Sequence, residues 1–109
     1  MEIKKEKTPA AVVVRVSGDI DLHSSPELRS VLLELVKEKS KVIVMDLSKV
    51  AYMDSSGLAT LIECLQGLRK YSGQMRLADV PPKVRDVFAL AQLERLFRSY
   101  RSVQEALAG

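Results

Sequence analysis

Apolar residues occur along the chain in two patterns, one typical of β-strands and the other of helices. Short runs rich in β-branched residues, bounded by glycine, proline or charged positions, predict strands. Such runs cover residues 11–16 and 42–47. The shorter apolar segments 75–78 and 96–100 are also predicted strands, and the charged residues 1–7 are predicted to form an edge strand. Between them, apolar residues spaced three and four apart predict helices with one buried face. The predicted helices begin at Ser24 or Ser25, near Ser55, before Val84 and after Ser102.

The alternation of strands and helices predicts an α/β fold with a mixed, mostly parallel sheet of about five strands and about four helices. The first two strands are too close in the chain for a crossover, so we expect them to form an N-terminal antiparallel hairpin. The segment Val42–Leu47 is apolar almost throughout, which predicts a sheet covered on both faces. No repeat, linker or low-complexity tract interrupts the pattern, so residues 1–109 are interpreted as a single domain.

The composition fits a folded globular domain rather than a disordered chain. Apolar residues make up 47% of the 109 positions and charged residues 28%. The longest apolar runs are only a few residues, too short to span a membrane, and the charged start Met1–Lys5 leads into no secretory signal. The lone Cys64 has no internal disulfide partner and is predicted to be a buried apolar residue. Together these features predict a cytoplasmic protein.

The net charge of +3 is distributed unevenly along the chain. Residues 1–68 hold nine Lys or Arg against ten Asp or Glu, whereas residues 69–109 hold eight against four. A basic half is one mark of nucleic-acid binding, but these residues are scattered and no aromatic stacking pattern accompanies them. We therefore interpret the basic half as a solvated face and expect no nucleic-acid partner.

The stretch from Met53 to Leu58 joins a predicted strand to a predicted helix. It places Asp54, Ser55 and Ser56 at the start of the helix, where either serine is a candidate cap. A serine at an exposed helix start is accessible to a kinase. Its phosphate would meet free N–H groups and the positive end of the helix dipole. Capping without any further function is the alternative interpretation of these residues.

A second polar loop, Gly18–Ser25, also follows a predicted strand and precedes a helix. Ser24 or Ser25 is the expected cap of that helix, with Glu27 completing a capping box. The carboxyl ends of parallel strands meet at one rim of a sheet, so both loops should share it. Three residues of this loop are therefore expected near Ser55: Asp19, Asp21 and His23.

Enzymatic chemistry is less well supported by the residue pattern. A Ser–His–Asp triad would need His23, the single histidine, within hydrogen-bonding reach of Ser55 or Ser56, and the G-x-S-x-G elbow of hydrolases is absent. One histidine and one cysteine without paired spacing predict no metal site. None of the five glycines lies in a G-x-G or Walker pattern. We therefore expect no catalytic residue, metal or cofactor.

The segment Tyr52–Leu58, after an aliphatic strand that ends in Asp46-Leu47, resembles the phosphorylation-site loop of the bacterial anti-sigma factor antagonists, which belong to the STAS domain family. A second match is the segment Gly18–Asp21, followed by His23 and Ser24. The spacing of the two motifs also suits the family. The predicted order of strands and helices follows it along nearly all of the 109 residues.

The resemblance implies a non-enzymatic switch protein. Its unphosphorylated form would bind an anti-sigma factor serine kinase and free the sigma factor, whereas phosphorylation of Ser55 would switch that binding off. A serine phosphatase would act transiently to reset the switch, and the free protein is expected to be a monomer. The resemblance and the flanking positions give these partner-binding residues: Asp21, His23, Ser24, Asp54, Ser56 and Gly57. Helix capping remains the alternative for Asp54 and Ser56, as does close packing for Gly57.

A second function within the same family stays open at this point. STAS domains also serve as subunits of other assemblies, such as lipid-transport complexes or stressosome-like scaffolds, where the fold is a structural interaction module. The intact Asp-Ser-Ser-Gly sequence at residues 54–57 favours the switch, because a purely structural subunit would not need an exposed phosphate acceptor.

Overall fold

The computed structural model describes all 109 residues. Five strands and four helices alternate along the chain after the first two strands. In chain order they are β1 (Glu2–Lys7), β2 (Val12–Ile20), α1 (Ser25–Lys37), β3 (Val42–Met53), α2 (Ser55–Arg69), β4 (Gln74–Ala78), α3 (Pro82–Leu90), β5 (Arg98–Tyr100) and α4 (Val103–Ala108). None of these helices combines the length and apolar character needed to cross a bilayer.

The strands form one sheet in the order β1-β2-β3-β4-β5. β1 pairs antiparallel with β2, and the three remaining pairs are parallel. The predicted mixed sheet with an N-terminal antiparallel hairpin is therefore confirmed. Because β2 and β3 are parallel neighbours, their carboxyl ends and the loops that follow them lie at the same rim.

The main core lies between one face of the sheet and the helices α1, α2 and α3. It contains buried side chains from alternating positions of the central strands and from one face of each helix. Examples are Val14, Met45, Leu32, Leu61 and Val84, each 0% exposed. Cys64 lies in this core, as predicted, and burial raises the pKa of its thiol to about 12.

The opposite face of the sheet is covered only in part, so the prediction of a sheet covered on both faces was too general. α4 places Ala106 in a small second core with Val13, Val44 and Ala78 of the sheet and with Ala11, the residue just before β2. Beyond α4 this face is polar, and Arg15 donates a hydrogen bond of 2.7 Å to Asp46 across β2 and β3. Asp46 is the one carboxylate in the apolar run of β3, and the part of this sheet face that α4 covers ends there.

Two strands continue beyond their predicted ends. β3 was expected to end at Leu47, but it runs to Met53, and β2 runs to Ile20 instead of giving way to a loop at Gly18. The polar residues Ser48 and Lys49 ended the apolar run in the sequence. The backbone continues its pairing with β2 as far as the Ile20–Met53 pair. As a result, the loops at the rim are shorter than expected.

The end of α2 also differs from the prediction. The helix ends at Arg69 rather than about Tyr71, and Ser72, not Gly73, has the left-handed conformation with φ of 64°. The Gly73 N–H then donates a 2.8 Å hydrogen bond to the Leu68 carbonyl, which closes the helix. A serine therefore adopts the conformation that glycine usually provides at a helix end.

Candidate functional site

Two short connections at the rim lie side by side. The first is the loop Asp21–Ser24 between β2 and α1, and the second is Asp54, the single residue between β3 and α2. The Asp54 N–H donates a 3.2 Å hydrogen bond to the carbonyl of Ile20, the last residue of β2. The structure thus brings together the two motifs that lie about thirty residues apart in the sequence. We call the surface formed by residues 21–24 and 54–57 the rim site.

Asp54 caps α2. Its carboxylate accepts hydrogen bonds from the backbone N–H groups of Ser56 and Gly57, at 2.9 and 3.3 Å, and from the Ser56 hydroxyl at 2.5 Å. Neither Ser55 nor Ser56 caps the helix, whereas the alternative interpretation of Asp54 as a helix cap is confirmed. Only the residue just before the first turn has the extended backbone that directs a side-chain oxygen toward the N–H groups, and that residue is Asp54.

The loop before α1 is held together by Asp21 and Ser24. The Asp21 carboxylate accepts from the N–H groups of His23 and Ser24, at 2.9 and 3.0 Å. The Ser24 hydroxyl accepts from the Asp21 N–H at 2.9 Å and donates to the Asp19 carbonyl at 2.7 Å. The predicted capping box with Glu27 does not form, because the Ser24 hydroxyl is engaged with the loop instead of the helix.

Gly57 packs against Ile20, the last residue of β2, just before the first connection of the rim site. A Cβ atom at this position would lie 2.7 Å from Ile20 Cγ2 and 3.0 Å from the Ile20 carbonyl oxygen. The second distance involves backbone, which cannot move aside as a side chain can. The structure therefore supports the close-packing interpretation of Gly57, and any larger residue would push α2 away from β2.

Ser55 is the first residue of α2 and is exposed. Its hydroxyl has no hydrogen-bond partner in the protein, whereas the Ser56 hydroxyl is bound to Asp54. The expectation that a phosphate on Ser55 would meet free N–H groups needs correction, because Asp54 already occupies those of Ser56 and Gly57. A phosphate on Ser55 would therefore find fewer free N–H groups than the sequence predicted.

His23 contributes its backbone to the rim site, and its side chain is exposed. The imidazole makes no hydrogen bond to Ser55 or Ser56, so the contact that a Ser–His pair requires does not exist in this structure.

The rim site carries concentrated negative charge. Hydrogen bonds from the Ser56 hydroxyl, above all, and from the N–H groups of Gly57, Ser56 and Leu22 lower the pKa of Asp54 below its usual value. The Ser24 N–H in the same way lowers the pKa of Asp21. Both carboxylates therefore remain ionised at neutral pH, and Asp54 directly precedes the exposed Ser55.

Two exposed apolar side chains lie in or beside the rim site, and the residue pattern assigned no role of its own to either. Leu22, between Asp21 and His23, is 71% exposed, and Tyr52, two residues before Asp54, is 52% exposed. Single exposed apolar side chains occur on most monomer surfaces, and these two are available for contact with a partner at the rim site. The one available signal was a leucine in an otherwise polar loop, outside any helical apolar stripe.

The helices that start at the rim are tied together along their exposed sides. Arg29 of α1 makes a two-pronged ion pair with Glu63 of α2, with N–O distances of 2.7 and 2.8 Å. The two connections of the rim site are thus followed by helices that are held in a defined relation to each other.

Comparison with known proteins connects this geometry to a family. The model of the STAS domain matches residues 2–106. The chain is 28% identical over 108 residues to the anti-sigma F factor antagonist of Paenibacillus polymyxa, which covers 98% of this chain and 92% of that protein. It is 29% identical over 83 residues to the anti-sigma-B factor antagonist of Staphylococcus aureus strain NCTC 8325, which covers 76% of this chain and 77% of that protein.

A solved structure gives the same result at the level of the fold. The crystal structure of an anti-sigma factor antagonist from Mycobacterium paratuberculosis is similar to this chain, with a TM-score of 0.89 and 29% sequence identity. The match covers 98% of this chain and 91% of that one. With the family model matching almost the whole length, the chain belongs to the STAS domain family.

Proposed function

We propose that this protein is an anti-sigma factor antagonist whose unphosphorylated form binds an anti-sigma factor serine kinase at the rim site and thereby frees a sigma factor. Phosphorylation of Ser55 by that kinase switches the binding off. The observation that carries the proposal is the exposed Ser55 hydroxyl, which has no partner in the protein and directly follows the ionised helix cap Asp54. The names of the similar proteins support the antagonist activity.

The partner-binding surface consists of the rim residues together with the two apolar side chains beside them. It contains Asp21, His23, Ser24, Asp54, Ser56 and Gly57, with Leu22 and Tyr52 added from the structure. Asp21 and Asp54 hold the two connections in shape through their hydrogen bonds. A preorganised surface of this kind loses little conformational entropy when it binds. Leu22 and Tyr52 supply the apolar contacts.

A phosphate on Ser55 opposes binding for a simple electrostatic reason. It adds about −1.5 to −2 charges at neutral pH, next to the ionised Asp54. Because Asp54 already accepts from the N–H groups of Ser56 and Gly57, fewer donors within the protein remain for the phosphate oxygens, which stay hydrated. A docked partner would have to remove that water. Burial of an unpaired charge costs at least about 3 kcal/mol, or roughly a hundredfold in affinity.

In this proposal the protein works by binding and carries out no reaction itself. The kinase supplies the phosphate, and a serine phosphatase removes it to reset the switch. The free protein is a monomer of one domain, and no nucleic acid takes part in the mechanism.

The proposal is tested by measuring the affinity of the anti-sigma factor kinase from the same genome for three forms of the protein. They are the unmodified protein, the protein with phosphoserine incorporated at position 55, and a control with phosphoserine at Ser72. Ser72 is exposed in the turn between α2 and β4, at the other end of α2. Calorimetric titration gives the dissociation constant of each form.

We expect phosphoserine at position 55 to weaken binding about a hundredfold or more and phosphoserine at position 72 to change it less than threefold. If the kinase binds all three forms equally well, the switch proposal is wrong. If it binds none of them, the proposed partner is wrong.

A further inference from the structure

A second surface feature lies at the far end of α2, about 21 Å from Ser55 by the rise of the helix. It is a groove of about 240 Å³ between α2, the start of β4 and the segment that leads into β5. Its floor consists of the buried side chains of Leu65 and Met75. Leu96 stands at its edge with 37% of its surface exposed, and the flanking cations are Arg69 and Arg98. We call this feature the arginine groove.

The two arginines of the groove have no partner within the protein. Both are exposed, and neither makes a hydrogen bond or an ion pair. The five ion pairs of the structure all lie between Glu2 and Glu63. The eight Lys and Arg residues from Arg69 onward therefore take part in none, although that part of the chain contains four acidic residues.

The groove is lined by both cationic and apolar side chains. No acidic residue lines it, so its field is positive, and the apolar floor and Leu96 offer a place for an aliphatic side chain. Arginine is suited to a partner's carboxylates because its planar guanidinium donates two parallel hydrogen bonds to one carboxylate group.

We propose that the arginine groove is a docking site for an acidic segment of a partner protein that also carries an aliphatic side chain. The carboxylates of the segment pair with Arg69 and Arg98, and the aliphatic side chain lies against Leu96 over the floor of the groove. Charge complementarity decides this choice of occupant: two unpaired cations flank an apolar groove that no carboxylate lines. This inference does not depend on the phosphorylation of Ser55.

Other occupants fit the groove less well. Nucleic acid binds through a basic surface with aromatic side chains that stack on bases, and no aromatic residue lines this groove. A second copy of this chain would have to present acidic residues to the groove, and the ionised Asp21 and Asp54 of the rim site are the candidates. Contact between the two ends of neighbouring copies would produce a concentration-dependent assembly, which is measurable.

The test uses the full chain labelled with ¹⁵N and a fluorescent ten-residue peptide of glutamate and leucine. A second peptide with glutamine in place of each glutamate is the neutral control. Anisotropy gives the dissociation constant, and amide chemical shifts locate the contact. The double variant Arg69→Glu/Arg98→Glu removes the proposed contacts. The matched variant Lys5→Glu/Lys83→Glu makes the same change in net charge at two exposed lysines outside the groove.

We expect the acidic peptide to shift the amides around Arg69, Met75 and Leu96, with affinity that decreases as salt is added. Arg69→Glu/Arg98→Glu should weaken binding at least tenfold, whereas Lys5→Glu/Lys83→Glu should weaken it less than threefold. Equal binding of the neutral peptide, shifts confined to the rim site, or an equal loss in both variants would overturn the inference. So would tighter binding of a duplex DNA probe, or self-assembly in sedimentation that Arg69→Glu/Arg98→Glu abolishes.

Discussion

At the scale of single residues, Asp54 is the centre of the account. Its carboxylate takes up the N–H groups of Ser56 and Gly57 and the Ser56 hydroxyl, and its own N–H is bound to Ile20. One side chain therefore starts α2, fixes the neighbouring connection and leaves only the Ser55 hydroxyl free. The adjacent serines therefore differ: the Ser56 hydroxyl is bound to Asp54, and the Ser55 hydroxyl is free.

The lowered pKa of Asp54 predicts how stability depends on pH. A carboxyl group whose pKa is lower in the folded than in the unfolded protein stabilises the fold. For Asp54 this stabilisation is present when the pH is above 3.8, the ordinary pKa of the group. That contribution is lost as the pH decreases through the folded-state pKa. We expect the free energy of unfolding, measured with urea, to decrease from pH 5 to pH 3 in the wild type and to decrease less steeply in Asp54→Asn.

Asp86→Asn is the control for this measurement, since Asp86 is an exposed carboxylate of α3 without a hydrogen bond in the structure. It should retain the pH dependence of the wild type. An unchanged slope in Asp54→Asn would contradict the role assigned to Asp54 in the folded protein.

Gly57 gives a second prediction at this scale, with a second glycine of α2 as its control. Gly57→Ala places a Cβ against the backbone of Ile20 and should reduce the free energy of unfolding by about 1–3 kcal/mol. At Gly67 the added Cβ would meet only the side chain of Val36, at 3.0 Å, and alanine favours the helix by about 1 kcal/mol. Gly67→Ala should therefore be neutral or stabilising. Equal effects in urea unfolding would show that the Gly57 contact is not restrictive.

At the scale of helices and strands, the order, type and pairing of the elements were predictable because apolar periodicity reports burial. Their ends were harder to predict. β3 continues past Ser48 and Lys49 because its backbone remains paired with β2, and side-chain polarity carries no information about that pairing. Asp54, Ser55 and Ser56 were all candidate caps of α2, and the sequence could not choose among them, since backbone conformation decides which oxygen reaches the N–H groups.

The packing of α4 on the second face of the sheet gives a prediction about stability. Ala106→Asp would place a carboxylate among Ala11, Val13 and Val44, without a partner, and should reduce the free energy of unfolding by about 2–4 kcal/mol. Ala108→Asp adds the same charge to an exposed position of α4 and should cost less than about 0.5 kcal/mol. Similar unfolding midpoints for both variants would contradict the assignment of α4 as the cover of this face.

At the scale of the whole molecule, the two ends of α2 carry opposite charge. The rim site presents Asp21 and Asp54 at one end, and the arginine groove presents Arg69 and Arg98 at the other. The position of the rim site followed from parallel topology, because the carboxyl ends of neighbouring strands share one rim. The groove was visible in the sequence only as a basic second half, and its shape depends on packing between α2, β4 and the segment before β5.

The central claim is that Ser55 is the phosphate acceptor of a binding switch. The most direct test is intact-mass spectrometry after incubation with ATP and the anti-sigma factor kinase from the same genome. We expect the wild type to gain the mass of one phosphate, Ser55→Ala to gain none, and Ser56→Ala to gain it as the wild type does. A kinase that is shown to be active but leaves the wild type unmodified, or modifies Ser55→Ala, would contradict the claim. In the first case the structural interaction module would become the leading account.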